Sequence, residues 1–370
     1  MFSEQAIEGI PRGYSLATHR RLLQLNQVAA WPERIVLTPW AGRIPIDRPI
    51  FVVGPFRSGT TALEQILSSH PTVGVFWFYT NVAYLAPVVG YYFLHLLSRL
   101  GLVDMQPQPY LHNPRLAFTP LSAFECEWVW SQAGKDLWDP HCTDLTTGAD
   151  FLNPEFERML RSIIQRHLLV QGRRRFLNKN PIHLLRLEYL HKLFPDARFV
   201  YIVRDPVETV LSHYRMVQRI AAIIQPHPQA RLAVESGLHL DVLTPRIKTQ
   251  QYAETLALEQ IHPLLGIAHQ WRMMNLTAQA SLRTNQALGR QVLQITYEAL
   301  SRDPATVLAQ VWQFVELEDT AAAAITTHAA GQLTPAPRAR PTVEEARWLQ
   351  AVQEIVAPAA AYFGYAGKIG

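Results

Sequence analysis

Residues 49–61 read PIFVVGPFRSGTT and carry the strongest structural signal in the chain. The first five residues are apolar and rich in β-branched side chains, which predicts a buried strand that ends at Gly54. From Thr60 the apolar residues recur with the spacing of one helix face, and His70-Pro71 ends that helix. The sequence therefore predicts a strand, a glycine-containing loop and a helix in direct succession.

The same alternation of strand and helix recurs further along the chain. Apolar strands are predicted at 175–177, 199–203 and 292–296, and helices at 183–194, 207–224 and 304–315. Strands that are apolar on both faces and alternate with helices are typical of a parallel sheet covered on both sides. We therefore expect an α/β protein in which helices flank a central parallel sheet.

Length and composition bound the domain organisation. The chain has 370 residues, of which 48% are hydrophobic and 17% charged, so a disordered chain, a collagen and a coiled coil are excluded. A chain of this length is near the upper limit for one hydrophobic core. We expect an N-terminal helical arm over residues 1–48 and one α/β domain over 49–370. Residues 225–262 interrupt the alternation and are a candidate lid or substrate-side insertion.

Charge and cysteine content narrow the classes of ligand. The formal net charge of +4 suits a small anionic ligand but is too small an excess to indicate nucleic acid. Two cysteines, Cys126 and Cys142, are too few for a disulfide framework or a four-ligand zinc site.

Targeting signals are weak. The N-terminus has no basic region followed by an apolar run, so we expect no signal peptide and a cytoplasmic protein. The most apolar window runs from Val82 to Leu97 and is shorter than the roughly 20 residues that span a bilayer. We predict that this window is a buried helix and that the protein has no membrane span.

The loop itself has the composition of an anion site. Gly54 and Gly59 have the spacing of the two P-loop glycines, and Thr61 stands at the final Ser/Thr position. Such a loop directs backbone N–H groups into one concavity at a helix N-terminus, which favours an anion. The P-loop lysine is replaced by Thr60, and the cation is Arg57, three residues earlier. We therefore expect a phosphate-containing ligand without a γ-phosphate.

Residues 55–61 resemble the 5′-phosphosulfate loop of the sulfotransferases that use PAPS, 3′-phosphoadenosine 5′-phosphosulfate. The resemblance implies a P-loop-type three-layer α/β fold and transfer of a sulfuryl group from PAPS to a hydroxyl or amine, without a metal ion. It also implies that five residues bind the 5′-phosphosulfate: Arg57, Ser58, Gly59, Thr60 and Thr61.

Later segments resemble further parts of the family pattern. Arg204 at a strand end and Ser212 on the next helix are similar to the family's 3′-phosphate signature. Lys179 resembles the strand-end lysine of tyrosylprotein sulfotransferases and related bacterial members, which implies that it stabilises the departing phosphate. Tyr297 is similar to the tyrosine that contacts the adenosine. The same residues also fit ordinary roles, as a solvated arginine, a surface lysine and a core tyrosine.

A general base that deprotonates the acceptor is expected among the acidic residues. In tyrosylprotein sulfotransferases a glutamate soon after the first helix has this role, but residues 74–79 read GVFWFY. We therefore expect a small molecule, lipid or glycan as acceptor rather than a protein tyrosine. Glu125 and Glu127 resemble a Glu-x-Glu pair of other bacterial members and are the candidate bases, with ion-paired or solvated acids as the alternative. His183, close to Lys179, is left open as a base or a polar group at a helix start.

The sequence thus predicts a PAPS-dependent sulfotransferase that works by in-line displacement. Two alternatives remain: a P-loop kinase using ATP, and a catalytically inactive nucleotide-binding interaction module. The missing loop lysine argues against the kinase, whereas the missing acid at 74–79 favours the inactive module.

Overall fold

The computed structural model describes residues 16–81, 83–110, 113–126, 129–130, 150–225, 252–333 and 340–365. The strands, in chain order, are β1 (Ile50–Val53), β2 (Val73–Val75), β3 (Gln108–Tyr110), β4 (Asn113–Phe118), β5 (Arg175–Lys179), β6 (Arg198–Val203) and β7 (Val292–Thr296).

The helices are α1 (Leu16–Val36), α2 (Thr38–Ala41), α3 (Thr60–Ser68), α4 (Pro87–Arg99), α5 (Pro154–Gln171), α6 (Leu187–Leu193), α7 (Pro206–Ile224), α8 (Tyr252–Ile261), α9 (Pro263–Thr284), α10 (Gln286–Gly289), α11 (Tyr297–Arg302), α12 (Pro304–Val315), α13 (Thr320–Gln332) and α14 (Val343–Ala360). Short 3₁₀ helices cover Phe78–Asn81, Pro181–Leu185 and Ala361–Phe363.

Five of the strands form one parallel sheet in the order β2-β5-β1-β6-β7. The central strand β1 pairs with β5 on one side and β6 on the other, with Val52 opposite Lys179 and Val200. Because the strands are parallel, the loops that follow β1, β5, β6 and β7 meet at one edge, on either side of the point where the strand order reverses. β3 and β4 form a separate antiparallel pair.

Helices cover both faces of this sheet. Alternate residues of β1 belong to two different cores, Phe51 and Val53 to one, Ile50 and Val52 to the other. The first core includes residues of α5, α6, α9 and α14, and the second includes residues of α3, α12 and α13. The predicted α/β architecture with a parallel sheet between two helical layers is confirmed.

The predicted helix over 183–194 is wrong in one respect, because the structure divides it. The Asn180 side chain accepts a hydrogen bond from the Ile182 N–H at 2.9 Å and opens a 3₁₀ turn. Arg186 then adopts φ −119°, which is not helical, and α6 starts at the next residue.

The predicted buried helix over 82–97 is also wrong. Helix α4 occupies most of this window. Of the residues of the helix itself, only Pro87 and Val88 are buried, whereas Tyr92, Phe93 and Leu96 are exposed. The first turn of α4 is held against the protein, and beyond it Tyr91 stacks on Trp77 while Tyr92, Phe93 and Leu96 face outward. In the part of the chain that the structure describes, no helix is long and apolar enough to cross a membrane. The cytoplasmic location stays a prediction.

Helix α1 is attached to the rest of the protein through polar groups. The Glu33 carboxylate accepts a hydrogen bond from the Val89 N–H in the first turn of α4 and pairs with Arg166 of α5 at 2.9 Å. Burial raises the pKa of Glu33, against the opposing effects of the Val89 N–H and Arg166. The division into an arm and a domain stays a prediction, and most of the candidate lid at 225–262 lies outside the described residues.

Candidate functional site

The loop between β1 and α3 is closed on two sides by neighbouring strand ends. A Cβ atom on Gly54 would lie 2.2 Å from the Ile202 carbonyl oxygen of β6. Gly59 has φ +100°, and a Cβ there would lie 2.5 Å from the Tyr297 ring. Only glycine fits at both positions, because the first contact is with backbone and the second is combined with a left-handed conformation.

Arg57 connects this loop to helix α7. Its backbone has φ +69°, a conformation that is uncommon for a residue with a side chain and that clusters at functional sites. Its Nε donates a hydrogen bond to the Ser212 hydroxyl at 3.2 Å. The structure thus brings together Arg57 and Ser212, which lie 155 residues apart in the sequence.

The remaining loop residues form the start of α3. The buried Ser58 hydroxyl donates to the Pro55 carbonyl oxygen at 2.7 Å, which tightens the turn. Thr60 and Thr61 are the first two residues of α3, and the N-cap residue is Gly59, which has no side chain to cap the helix. The N–H groups of the first turn therefore have no cap from that position and point toward the sheet edge as potential anion donors.

Arg204 and Tyr297 meet at the ends of β6 and β7. The Arg204 guanidinium carbon lies 5.0 Å from the Tyr297 ring centroid, within the range of a cation–π contact. Arg204 also pairs with Glu208 at 3.4 Å, so it is not simply a solvated arginine. Because the Tyr297 ring also packs on Gly59, it links the Arg204 loop to the glycine loop.

Lys179, the last residue of β5, lies against two carboxylates. It is buried, so the alternative of a surface lysine is excluded. Its Nζ forms ion pairs with Glu125 and, at 3.8 Å, with Glu64. Burial by itself lowers the pKa of Lys179, but the two glutamates outweigh it, so that the pKa is raised and the side chain stays charged.

A neighbouring asparagine holds Glu125 in this position. The side-chain amide of Asn178 donates to the backbone carbonyl oxygens of Phe124 and Glu125, each at 3.3 Å. Its carbonyl oxygen accepts from the Trp130 indole N–H at 3.1 Å. The segment that carries Glu125 is thereby fixed over the end of β5. The second candidate base, Glu127, lies outside the described residues.

Glu64 is a member of this cluster that the sequence analysis missed. It lies on α3, is only 2% exposed, and one of its carboxylate oxygens has no hydrogen-bond partner within the described part of the chain. Burial raises its pKa to about 7, with Lys179 opposing and Glu125 adding to the shift. One signal was available, because residues 60, 63, 64 and 67 form a buried helix face and the third of them is a glutamate.

The stability of the protein should depend on pH through Glu64. Its folded-state pKa is raised from 4.5, so the folded state binds the proton more tightly and stability falls as pH rises from about 4.5 to about 7. In the Glu64→Gln variant this contribution, on the order of 3 kcal/mol, should be absent. Urea unfolding of both proteins between pH 4.5 and 8 measures the difference, and parallel stability curves would contradict the prediction.

His183 packs into the protein core beside this cluster. It is fully buried, its Nε2 lies 2.8 Å from the Asn178 carbonyl oxygen, and its ring packs edge-on against Trp130 at 4.5 Å. Burial lowers its pKa well below the usual value, with Arg186 adding to the shift. Of the two roles left open, the structure favours the polar group at a helix start, since Pro181–Leu185 is the 3₁₀ turn.

A cavity of about 480 Å³ lies beside the edge strand β2. The stacked rings of Trp77 and Tyr91, with centroids 5.1 Å apart, line it together with Ala123. Because Val75 pairs with Leu177, Trp77 follows β2 at the level where Lys179 ends β5. Ala123, in the cavity wall, stands two residues before Glu125, and the rest of the wall runs back along β2 to Val73. Among the described residues no cluster of three or more His, Cys, Asp or Glu side chains could hold a metal ion.

Comparisons with known proteins agree with this architecture. A sequence profile described as "Sulfotransferase family" matches residues 49–229. Two curated relatives, named omega-hydroxy-beta-dihydromenaquinone-9 sulfotransferase Stf3, come from Mycobacterium bovis and Mycobacterium tuberculosis. Each is 28% identical over 230 residues, which are 53% of this chain and 53% of the relative. The chain thus matches about half the length of these relatives.

Two solved structures share the fold across most of the chain. Sulfotransferase STF9 from Mycobacterium avium has a TM-score of 0.56 and 16% identity, covering 96% of this chain and 88% of that one. Sulfotransferase STF1 from Mycobacterium tuberculosis H37Rv has a TM-score of 0.51 and 16% identity, covering 91% and 84%. The P-loop-type fold expected from the sequence is confirmed. Residues 49–229, which contain the glycine loop of residues 54–61, thus have the sequence pattern of the sulfotransferase family.

Proposed function

We propose that the protein is an enzyme that transfers the sulfuryl group of PAPS to a hydroxyl, or an amine, of an acceptor. The observation that carries this proposal is that three basic side chains, Arg57 after β1, Lys179 at the end of β5 and Arg204 after β6, lie at one sheet edge around a glycine loop. Such an arrangement suits a ligand with separate anionic groups. The comparisons favour neither the kinase nor the inactive module.

The residues present fit the donor. The loop from Arg57 through Ser58, Gly59 and Thr60 to Thr61 would hold the 5′-phosphosulfate through backbone N–H groups and the guanidinium. Arg204 and Ser212 would hold the 3′-phosphate, and Tyr297 would lie beside the adenosine. Support comes from the contacts that already join these groups, Arg57 with Ser212 and Arg204 with Tyr297.

The reaction needs one proton acceptor and one group that stabilises the leaving phosphate. A bond forms between the acceptor oxygen and sulfur while the bond between sulfur and the 5′-phosphate oxygen breaks, and 3′-phosphoadenosine 5′-phosphate leaves. Lys179 would stabilise the charge that develops on the leaving oxygen. Glu125 would take the proton of the acceptor hydroxyl. Since Glu125 pairs with Lys179 in the structure, donor binding would compete for the lysine and release the carboxylate to act as base.

The acceptor is inferred to be an alcohol with an apolar body, such as a lipid. The cavity beside β2 supports this inference, because it combines the rings of Trp77 and Tyr91 with polar side chains such as Ser122 and Gln171. The relatives that match half of the chain are named for a hydroxylated menaquinone. Residues 74–79 supply no acid, which separates this site from that of the protein-tyrosine enzymes.

Donor binding is the first test of the proposal. We expect 3′-phosphoadenosine 5′-phosphate to bind without a metal and more tightly than ATP with Mg²⁺. Arg57→Ala and Arg204→Ala should each weaken binding by roughly 10- to 100-fold, because each removes charge-assisted hydrogen bonds. Isothermal titration calorimetry measures these affinities. The matched control is Arg290→Ala, an exposed arginine that precedes β7 and so lies at the opposite sheet edge.

Three results would count against the proposal. Tighter binding of ATP with Mg²⁺, or wild-type affinity in the Arg57→Ala variant, would reject the donor site. If the donor binds but no sulfated product forms with a panel of lipid and small-molecule alcohols, the inactive module is favoured. Sulfur-labelled PAPS followed by chromatography detects the product.

A further inference from the structure

Helix α1 buries two polar side chains and exposes several large apolar ones. Asn26 and Glu33 are buried on the inner side, whereas Val28, Trp31 and Ile35 are exposed on the outer side. A surface helix of a globular protein normally buries its apolar stripe. The outer side of α1 therefore has the composition of a binding surface.

Helix α4, which packs against α1, also exposes large apolar side chains. Tyr92, Phe93 and Leu96 are exposed at helical spacing, and Phe93 is 56% exposed. The two helices are tied together, because Glu33 accepts from the Val89 N–H at the start of α4. We call this surface the α1/α4 face and define it by Val28, Trp31, Ile35, Tyr92, Phe93 and Leu96. Contiguous apolar patches of this kind usually mark interaction sites.

Among the side chains that the structure describes on α1 and α4 and after α2, the exposed charged groups next to the α1/α4 face are arginines. Arg21, Arg34 and Arg99 are exposed on the two helices, and Arg43 follows α2 with its guanidinium 5.3 Å from the ring centroid of the exposed Trp40. The acid on α1, Glu33, is buried and paired with Arg166. In the segment after α4, the exposed acid is Asp104.

This charge pattern indicates which kind of partner binds the α1/α4 face. A second copy seated on the same face through a two-fold axis would bring like-charged arginines together. An anionic surface complements them. Aromatic rings with a polar edge, such as Trp31 and Tyr92, are typical of the boundary between lipid and water. An amphipathic face with arginines at its margin, on helices too short or too polar to span, is typical of a protein that lies on a membrane.

We propose that the α1/α4 face binds the surface of an anionic lipid bilayer and lies in the interface without crossing it. One consequence rests on the proposed function: Tyr91 of α4 lines the cavity beside β2, so a lipid alcohol leaving the bilayer would have a short path to that cavity.

Vesicle binding of the full chain, without donor or acceptor, tests the proposal. We expect the wild type to float with vesicles of phosphatidylcholine and phosphatidylglycerol, and less with phosphatidylcholine alone. In the Trp31→Glu/Phe93→Glu variant the partition coefficient should fall at least roughly 100-fold, about tenfold for each ring withdrawn from lipid. Arg34→Gln should weaken binding roughly fivefold on anionic vesicles only. The matched control is Leu152→Glu, since Leu152 is 73% exposed and lies away from this face.

Other results would overturn the proposal. One is that the wild type does not bind anionic vesicles. The other is that the double variant, with its folding confirmed by circular dichroism, binds them as well as the wild type does. A wild-type dimer in light scattering that the double variant converts to a monomer would instead assign the face to a second copy. Neither substrate is present in the vesicle experiment, so absence of vesicle binding would not argue against sulfuryl transfer. Likewise, absence of donor binding would not argue against membrane binding by the α1/α4 face.

Discussion

Replacement of Lys179 by glutamine should lower kcat by roughly 100- to 1,000-fold, the range found when one preorganised donor to a developing oxyanion is removed. Lys179 is buried at the end of the central parallel sheet, where a fixed charge acts at low dielectric. The affinity for 3′-phosphoadenosine 5′-phosphate should change much less than kcat, because Arg57, Arg204 and the loop N–H groups would still hold that ligand. Steady-state transfer from labelled PAPS, together with calorimetry, measures both quantities.

Two further variants make this result interpretable. Lys179→Gln leaves Glu64 and Glu125 without their shared cation, so the Lys179→Gln/Glu64→Gln variant separates loss of catalysis from loss of stability. Lys192→Gln is the matched lysine control, since Lys192 lies on α6 and donates a hydrogen bond to the Phe151 carbonyl oxygen. A kcat within about threefold of wild type in a folded Lys179→Gln variant would contradict the proposed role, because the expected loss is far larger.

Replacement of Glu125 by glutamine should lower kcat by roughly 100- to 10,000-fold, which is the usual contribution of a general base. The same variant should bind 3′-phosphoadenosine 5′-phosphate as tightly as the wild type or more tightly, since Glu125 no longer competes for Lys179. A purely structural carboxylate would not combine a lower kcat with unweakened donor binding. The measurements are the kcat of labelled transfer and the calorimetric affinity.

Glu127→Gln is the competing variant in this experiment. If it loses activity while Glu125→Gln keeps it, the base is Glu127 and the role proposed for Glu125 is wrong. Glu188→Gln on α6 serves as the control, because Glu188 lies on a short helix away from the glycine loop. Loss in neither variant would place the base outside the Glu-x-Glu pair.

Local sequence patterns predicted the elements that surround the donor site. Strand β7 and helix α12 have the predicted limits, and β1, β6 and α7 agree to within one residue at either end. Strands β1 and β6 are buried on both faces, and helices α7 and α12 begin with an aspartate cap and a proline, so in these elements local preference and packing favour the same structure. A capping box of Thr342 and Glu345 likewise opens α14.

The cluster around Lys179 was only partly predictable. Lys179 and Glu125 were identified separately, but their ion pair depends on Asn178 and on the loop that follows β4, which lie 53 or more residues from each other in the chain. Glu64 was missed because a glutamate on an apolar helix face becomes informative only when a cation is known to face it. Such pairings are long-range contacts that no window of neighbouring residues contains.

By itself, the sequence determined the strand-loop-helix of residues 49–68 and the parallel arrangement, because short-range periodicity and glycine geometry act within a few residues. Only the tertiary structure decided which carboxylates share Lys179 and which side of α1 and α4 faces outward. The physical reason is that hydrophobic pattern measures how apolar a surface is, whereas burial depends on whether another part of the molecule packs against it.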